Sequence, residues 1–125
     1  MVDKPTDSEF EILKVLWSAG PATVRQVNDR LNEMREVGYT TTLKIMQIMS
    51  QKGLVTRDES TRTHVYSAAV KEGTVKNALI DRLMDTAFSG SASQLVMQAL
   101  GRGNTSEKEL QKIKELIRKM EGGES

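Results

Sequence analysis

Residues 38–67 read GYTTTLKIMQIMSQKGLVTRDESTRTHVYS, and this stretch decides the fold. Leu43, Ile45, Met46 and Met49 gather on one side of a helix running from about Thr40 to Lys52, which Gly53 stops. Immediately after it, LVTRDESTRTHVYS sets β-branched and aromatic residues on either side of the polar centre DEST. That pattern predicts a two-stranded hairpin over residues 54–58 and 62–67. A helix that passes directly into a hairpin is the second half of a winged helix-turn-helix if two more helices precede it.

Two helices do precede it. TDSEFEILKVLW places Thr6 and Glu9 in capping-box spacing, followed by Phe10, Leu13, Leu16 and Trp17 at helical intervals. The first helix is predicted over residues 7–18 and ends at Gly20-Pro21. TVRQVNDRLNEM repeats the device with Thr23 and Gln26, and Val27, Leu31 and Met34 make its apolar stripe. Residues 1–70 are therefore expected to form a winged-helix domain, with an ordinary small α+β domain as the plainer reading of the same pattern. The fold class is mainly α with a small β-hairpin wing.

Beyond Val70 the pattern changes. Residues 74–88 are helical, with Val75, Leu79, Leu83 and Phe88 beside Ile80 and Met84 on a broad apolar face. SGSAS breaks the chain, although a serine there could also cap the next element, SQLVMQAL, a short apolar helix. After the loop GRGNT, SEKELQKIKELIRKM opens with Ser106 and Glu109 in capping-box spacing and aligns Leu110, Ile113, Ile117 and Met120. Three short helices cannot bury these stripes among themselves. A second copy of the chain is the simplest partner, the alternative being that they pack back on the N-terminal domain; residues 71–125 are expected to be a helical dimerisation domain, with Leu79, Leu83, Leu95, Leu110, Ile113 and Ile117 at a homodimer interface. EGGES at the end reads as a solvated tail.

Composition narrows the classes. A chain of 125 residues with 38% apolar content suits one compact domain or a small domain with an appendage. It has no cysteine, hence no disulfide framework and no thiolate metal site. No apolar run approaches the ~20 residues that span a bilayer, and the opening MVDKPTDSEF lacks the apolar core of a signal peptide. A cytoplasmic protein without membrane insertion is expected. The net charge of +1 says nothing for a polyanion, but its distribution does. Residues 1–36 hold five basic and seven acidic side chains, whereas residues 37–57 hold Lys44, Lys52 and Arg57 and no acid. A surface facing phosphates should lack carboxylates.

On a wheel of ~100° per residue, Thr40, Thr41, Gln47, Ile48 and Gln51 fall within about 60° of Lys44, with Lys52 at the edge. Glutamine can pair with adenine edges, threonine with phosphate or a thymine methyl, and lysine with phosphate or guanine. This face suits a recognition helix in the major groove. A merely solvated polar face is the plainer reading of the same residues, and Ile48 in its middle is odd for one. The hairpin adds Arg57 and Arg62, suited to backbone phosphates, and His64 on its second strand. His64 is the chain's one histidine, and without a second histidine or a cysteine it makes no metal site. No positioned acid-base pair, nucleophile elbow or phosphate-binding glycine pattern is present. Neither an enzyme nor a cofactor is expected.

PTDSEFEILKVLWSAGPATVRQVNDRL, YTTTLKIMQIMSQKGLVTR and VYSAAV together resemble the BlaI/MecI family of penicillinase repressors. The likeness runs on through SQLVMQAL and the last helix beginning TSEKEL. It implies a homodimeric winged-helix repressor on an operator inverted repeat, often of β-lactam resistance genes. It also implies release by cleavage in the dimerisation domain, triggered by a membrane-bound sensor protease. By position, Tyr39, Thr40, Thr41 and Lys44 fall in the family's recognition-helix motif, Arg62 falls in its wing, and the cleavage point lies nearest Gln98-Ala99. The chain departs from the family at Ile48, where members often carry a basic residue, and around Gln98-Ala99. Copper-responsive relatives carry cysteines near the C-terminus, and this chain has none. Two other readings fit the same residues: a winged-helix protein-interaction module, and a double-stranded nucleic-acid binder without sequence preference.

Overall fold

The computed structural model describes residues 5–122. In chain order the elements are α1 (Asp7–Ala19), α2 (Val24–Asn32), α3 (Tyr39–Lys52), β1 (Val55–Asp58), β2 (Val65–Ala68), α4 (Glu72–Ala87), α5 (Ala92–Gly101) and α6 (Glu107–Glu121). The fold is mainly helical with one antiparallel hairpin, in which Val55 pairs with Ala68 and Asp58 with Val65. The chain divides into two compact units, one ending at Asp81 and one beginning at Arg82, so the division falls inside α4. The stretch MVDK and most of the EGGES tail lie outside the described residues. No described helix is long and apolar enough to cross a membrane.

In the first unit, local chemistry sets the helix starts. Thr6 N–H donates to Glu9 Oε1 at 2.9 Å while Glu9 N–H donates to Thr6 Oγ1 at 3.2 Å. Thr23 and Gln26 make the same reciprocal pair at 2.9 and 3.1 Å. Both boxes satisfy amides that a helix start leaves unpaired. At the far end of α3, Gly53 takes φ 81°, a left-handed conformation that glycine adopts without a Cβ clash. Its amide donates to Ser50 and that of Leu54 to Met49, which closes the helix.

The core joins Ile12, Leu13 and Leu16 of α1, Val27 and Leu31 of α2, and Met46 and Met49 of α3, all buried, to Leu54, Val55 and Tyr66 of the hairpin region. Each such side chain contributes about 1.5–3 kcal/mol on burial. The segment between α1 and α2 also joins the hairpin: Ala22 N–H donates to Tyr66 O at 2.9 Å and Tyr66 N–H to Ala22 O at 2.8 Å. Trp17 Nε1–H donates to the Val70 carbonyl at 3.0 Å, and its ring meets Phe10 edge to face at 5.8 Å.

Three sequence expectations need correction here. Met34 does not belong to the buried stripe of α2. It is 69% exposed, because α2 stops at Asn32, whose side chain bonds to the backbone of Val37. The second strand begins at Val65 rather than residue 62, and His64 lies outside it. The turn holds those residues by local bonds: Asp58 Oδ1 accepts from Ser60 N–H at 2.9 Å, and Thr61 Oγ1 donates to Thr63 O at 2.7 Å. Side chains of this kind compete with ladder pairing. Phe88 lies just beyond α4 rather than within it.

In the second unit, Ser91 Oγ caps α5 by accepting from Gln94 N–H, and Ser106 Oγ caps α6 by accepting from Glu109 N–H, both at 3.1 Å. Neither α5 nor α6 contains a buried residue. Val96, Met97, Leu116, Ile117 and Met120 are all exposed.

Candidate nucleic-acid interface

The position of α3 is set at both ends. At its start, Asn28 Nδ2 of α2 donates to Val37 O at 3.0 Å and to Thr42 Oγ1 at 2.9 Å. Asn32 Nδ2 donates to the same carbonyl at 2.9 Å and to Asn28 O at 2.8 Å, and Asn32 Oδ1 accepts from Val37 N–H at 3.1 Å. Asn28 and Thr42 are buried, so these bonds tie the turn between α2 and α3 to the helices on either side of it. At its end, Lys52 Nζ donates to Glu9 Oε1 at 2.9 Å and Oε2 at 3.1 Å. Glu9 is only 4% exposed, so the ion pair is sheltered on the carboxylate side. Glu9 thus caps α1 and also anchors the last turn of α3.

With Thr42, Met46 and Met49 turned inward, α3 presents Tyr39, Thr40, Thr41, Lys44, Gln47, Ile48 and Gln51 to solvent. Thr40, Lys44, Gln47, Ile48 and Gln51 line one shallow groove with Leu43. Ile48 is 39% exposed, an apolar side chain standing among amides and hydroxyls. Among the described residues, no carboxylate pairs with Lys44.

The acid-free stretch is acid-free in sequence but not in space. Lys52 is paired with Glu9, and Arg57 is paired with Glu59, with Arg57 Nε to Glu59 Oε2 at 2.6 Å. Hydrogen bonding to the Tyr66 phenol, and then to Glu59, holds the Arg57 guanidinium above its ordinary value. Of the three cations counted in residues 37–57, only Lys44 is left unpaired among the described residues. Arg25, which the sequence reading did not single out, joins the surface instead. Its guanidinium lies 4.6 Å from the centroid of the Tyr39 ring. Thr23, Arg25 and Tyr39 line a second concavity with Arg62, Thr63 and His64 of the hairpin turn. Arg25 stands fourteen residues from Tyr39, and no periodicity in the chain pairs them.

In the C-terminal half, Leu79, Leu95, Leu110 and Ile113 are half-buried, and Leu83 and Ile117 are exposed. Gln98 and Ala99 are exposed in the second half of α5.

Three helices, a hairpin wing, and a third helix fixed at both ends with its polar face outward define a winged-helix protein. The penicillinase repressor family matches residues 5–119, and the chain belongs to that family. The transcriptional regulator BlaI of Mycobacterium tuberculosis (strain H37Rv) is 30% identical over 103 residues, covering 81% of this chain and 75% of that one. The solution structure of the DNA-binding domain of the repressor BlaI superposes with a TM-score of 0.50 at 23% identity, covering 58% of this chain and 90% of the other. The crystal structure of transcriptional regulator Tm0710 from Thermotoga maritima gives a TM-score of 0.53 at 18% identity, covering 94% of this chain and 74% of the other.

Proposed function

We propose that this protein is a homodimeric transcriptional repressor that binds an inverted repeat in double-stranded DNA. The observation that carries this reading is the outward face of α3, where Thr40, Thr41, Lys44, Gln47, Ile48 and Gln51 are exposed together without an acid. In the major groove, Gln47 and Gln51 would meet base edges, Ile48 a thymine methyl, and Lys44 a phosphate or guanine. Tyr39, Arg62 and Arg57 would meet the backbone, Arg57 by exchanging Glu59 for a phosphate. The family membership and the printed role of its mycobacterial relative, a transcriptional regulator, support the same reading.

The apolar residues of α4, α5 and α6 supply the dimer: Leu79, Leu83, Leu95, Leu110, Ile113 and Ile117 would be covered by a second copy. One half-site gives few contacts, so linking two reading heads raises the effective concentration of the second. Repression would end by cleavage in α5, at Gln98-Ala99, under a membrane-bound sensor protease responding to cell-wall or β-lactam stress. An isolated helix of 10 residues has little intrinsic stability and opens locally, which gives a protease the extended strand it needs. The cut removes α6 and leaves the DNA-binding head intact. A repressor with this role acts in the cytoplasm.

Binding-site selection from random duplexes, followed by gel shifts over a salt series, tests the reading. A selected dyad bound well above random DNA is the expected result. Equal binding to all duplexes with a steep salt dependence would mark a non-specific binder, and no binding would mark a protein-interaction module. Mass spectrometry of the repressor from induced cells tests release; derepression with an intact chain would refute cleavage.

A further inference from the structure

We propose that Glu9 is a specificity-determining residue for DNA recognition, acting through Lys52: it keeps this cation, at the end of α3, away from the phosphates of any duplex the protein meets. This rests on the DNA-binding reading above. Lys44 and Lys52 are the two lysines of α3, and Lys52 follows Ile48 by one helical turn. Among the described residues no carboxylate pairs with Lys44, whereas Lys52 Nζ is held by both oxygens of the Glu9 carboxylate, at 2.9 and 3.1 Å. The chain carries its own control for that negative charge. Glu9 and Gln26 occupy the same position in two capping boxes, and each accepts the amide of its capping threonine at 2.9 Å. An amide side chain is therefore enough for the cap, and the charge at residue 9 serves Lys52.

The pair also differs from the one between Arg57 and Glu59. The Glu59 side chain is 53% exposed, so water solvates it when a phosphate takes the arginine. The Glu9 side chain is 5% exposed. Drawing Lys52 away would leave a sheltered carboxylate with the Thr6 amide as its remaining donor, which is strongly unfavourable. A phosphate can thus recruit Arg57 but not Lys52. That difference bears on discrimination. A lysine on a phosphate strengthens binding to every duplex and carries no sequence information. The same ion pair ties the last turn of α3 to the first turn of α1, so the side chains that meet base edges start from a fixed pose. Less order then has to be imposed when they dock. Glu9 lowers binding to random DNA and favours the operator.

The test uses the full-length protein, the duplex recovered by site selection and a random duplex of the same length. Circular dichroism first checks that Glu9→Gln and the double variant Glu9→Gln/Lys52→Gln are folded. Glu9→Gln should steepen the slope of log K against log salt on the random duplex by about 0.9 per subunit, which at ~0.1 M salt is about eightfold tighter binding per subunit. It should gain less on the selected duplex, so the ratio between the two falls. Adding Lys52→Gln should return the random-duplex affinity and slope to wild-type values. An ion pair that only stabilises the fold would instead weaken binding to both duplexes at an unchanged slope, and that result overturns the proposal. Equal gains on both duplexes overturn it too, as does a Glu9→Gln chain that binds like the wild type. If Glu9→Gln does not fold, the double variant decides: a wild-type slope supports the proposal, and a shallower one shows that Lys52 already meets phosphate in the native protein and refutes it. In all these outcomes the repressor reading stands. A wild-type chain that binds neither duplex refutes both.

Discussion

Asn28 of α2 and Thr42 of α3 share a buried hydrogen bond of 2.9 Å, and the same amide group of Asn28 holds the Val37 carbonyl in the turn between them. Asn28 therefore links the turn, which Asn32 also holds, to the start of α3. Asn28→Ala takes the partner from the buried Thr42 hydroxyl and leaves the Val37 carbonyl to Asn32 alone, at a cost of about 1–3 kcal/mol. Urea unfolding should show that loss. A double-mutant cycle with Thr42→Val should show that the two changes are not additive. Additive losses would mean the pair is not coupled.

Lys44 stands exposed and unpaired on the outward face of α3. Lys44→Ala should weaken operator binding without changing stability or subunit association. If it meets a phosphate, the salt slope should fall by about one. Anisotropy titrations at several salt concentrations check this, and unchanged affinity throughout would remove that face from the DNA.

Helix caps were legible from the chain because they are local. Thr6 with Glu9, and Thr23 with Gln26, are three residues apart, and residue type plus spacing is enough to find them. The Gly53 stop was legible for the same reason. The ion pair of Glu9 with Lys52 spans 43 residues, and no local pattern announces it. Counting charges along the chain therefore credited Lys52 and Arg57 to the outward surface, where folding supplies each with a carboxylate. Arg25 was missed by the same reasoning in reverse: it is ordinary in sequence and gains its place only when α2 and α3 pack. The Ala22–Tyr66 pairing was equally hidden, since a single bridged residue has no periodicity.

Ile113 lies on the apolar side of α6, and Ile117 of the same stripe is 46% exposed. Ile113→Glu would place an unpaired carboxylate in the proposed subunit interface, at a cost of several kcal/mol. Sedimentation should show monomers whose winged-helix unit keeps its thermal transition. A dimer persisting at micromolar concentration would move the interface elsewhere.

Asp58 sits at the start of the wing turn and accepts the Ser60 amide at 2.9 Å. That bond, followed by one to the Ser60 side chain, lowers the carboxyl pKa below its ordinary value. A depressed folded-state pKa contributes turn stability that is present above the unfolded value and is lost as pH falls through the folded one. The wing should therefore keep its form at neutral pH and loosen in acid. The Ser60 amide resonance should follow that titration, and Asp58→Asn should abolish it.

Trp17 donates its indole N–H to the Val70 carbonyl at 3.0 Å, two residues before α4 begins. It is the chain's one tryptophan. Tryptophan emission in this protein, excited at the red edge of the band where the two tyrosines absorb little, therefore comes from a single place, the exit of the winged-helix unit. An unlabelled sample already carries an optical probe there, and a spectral change during a DNA titration or a proteolysis time course can be assigned to that place without introducing a dye.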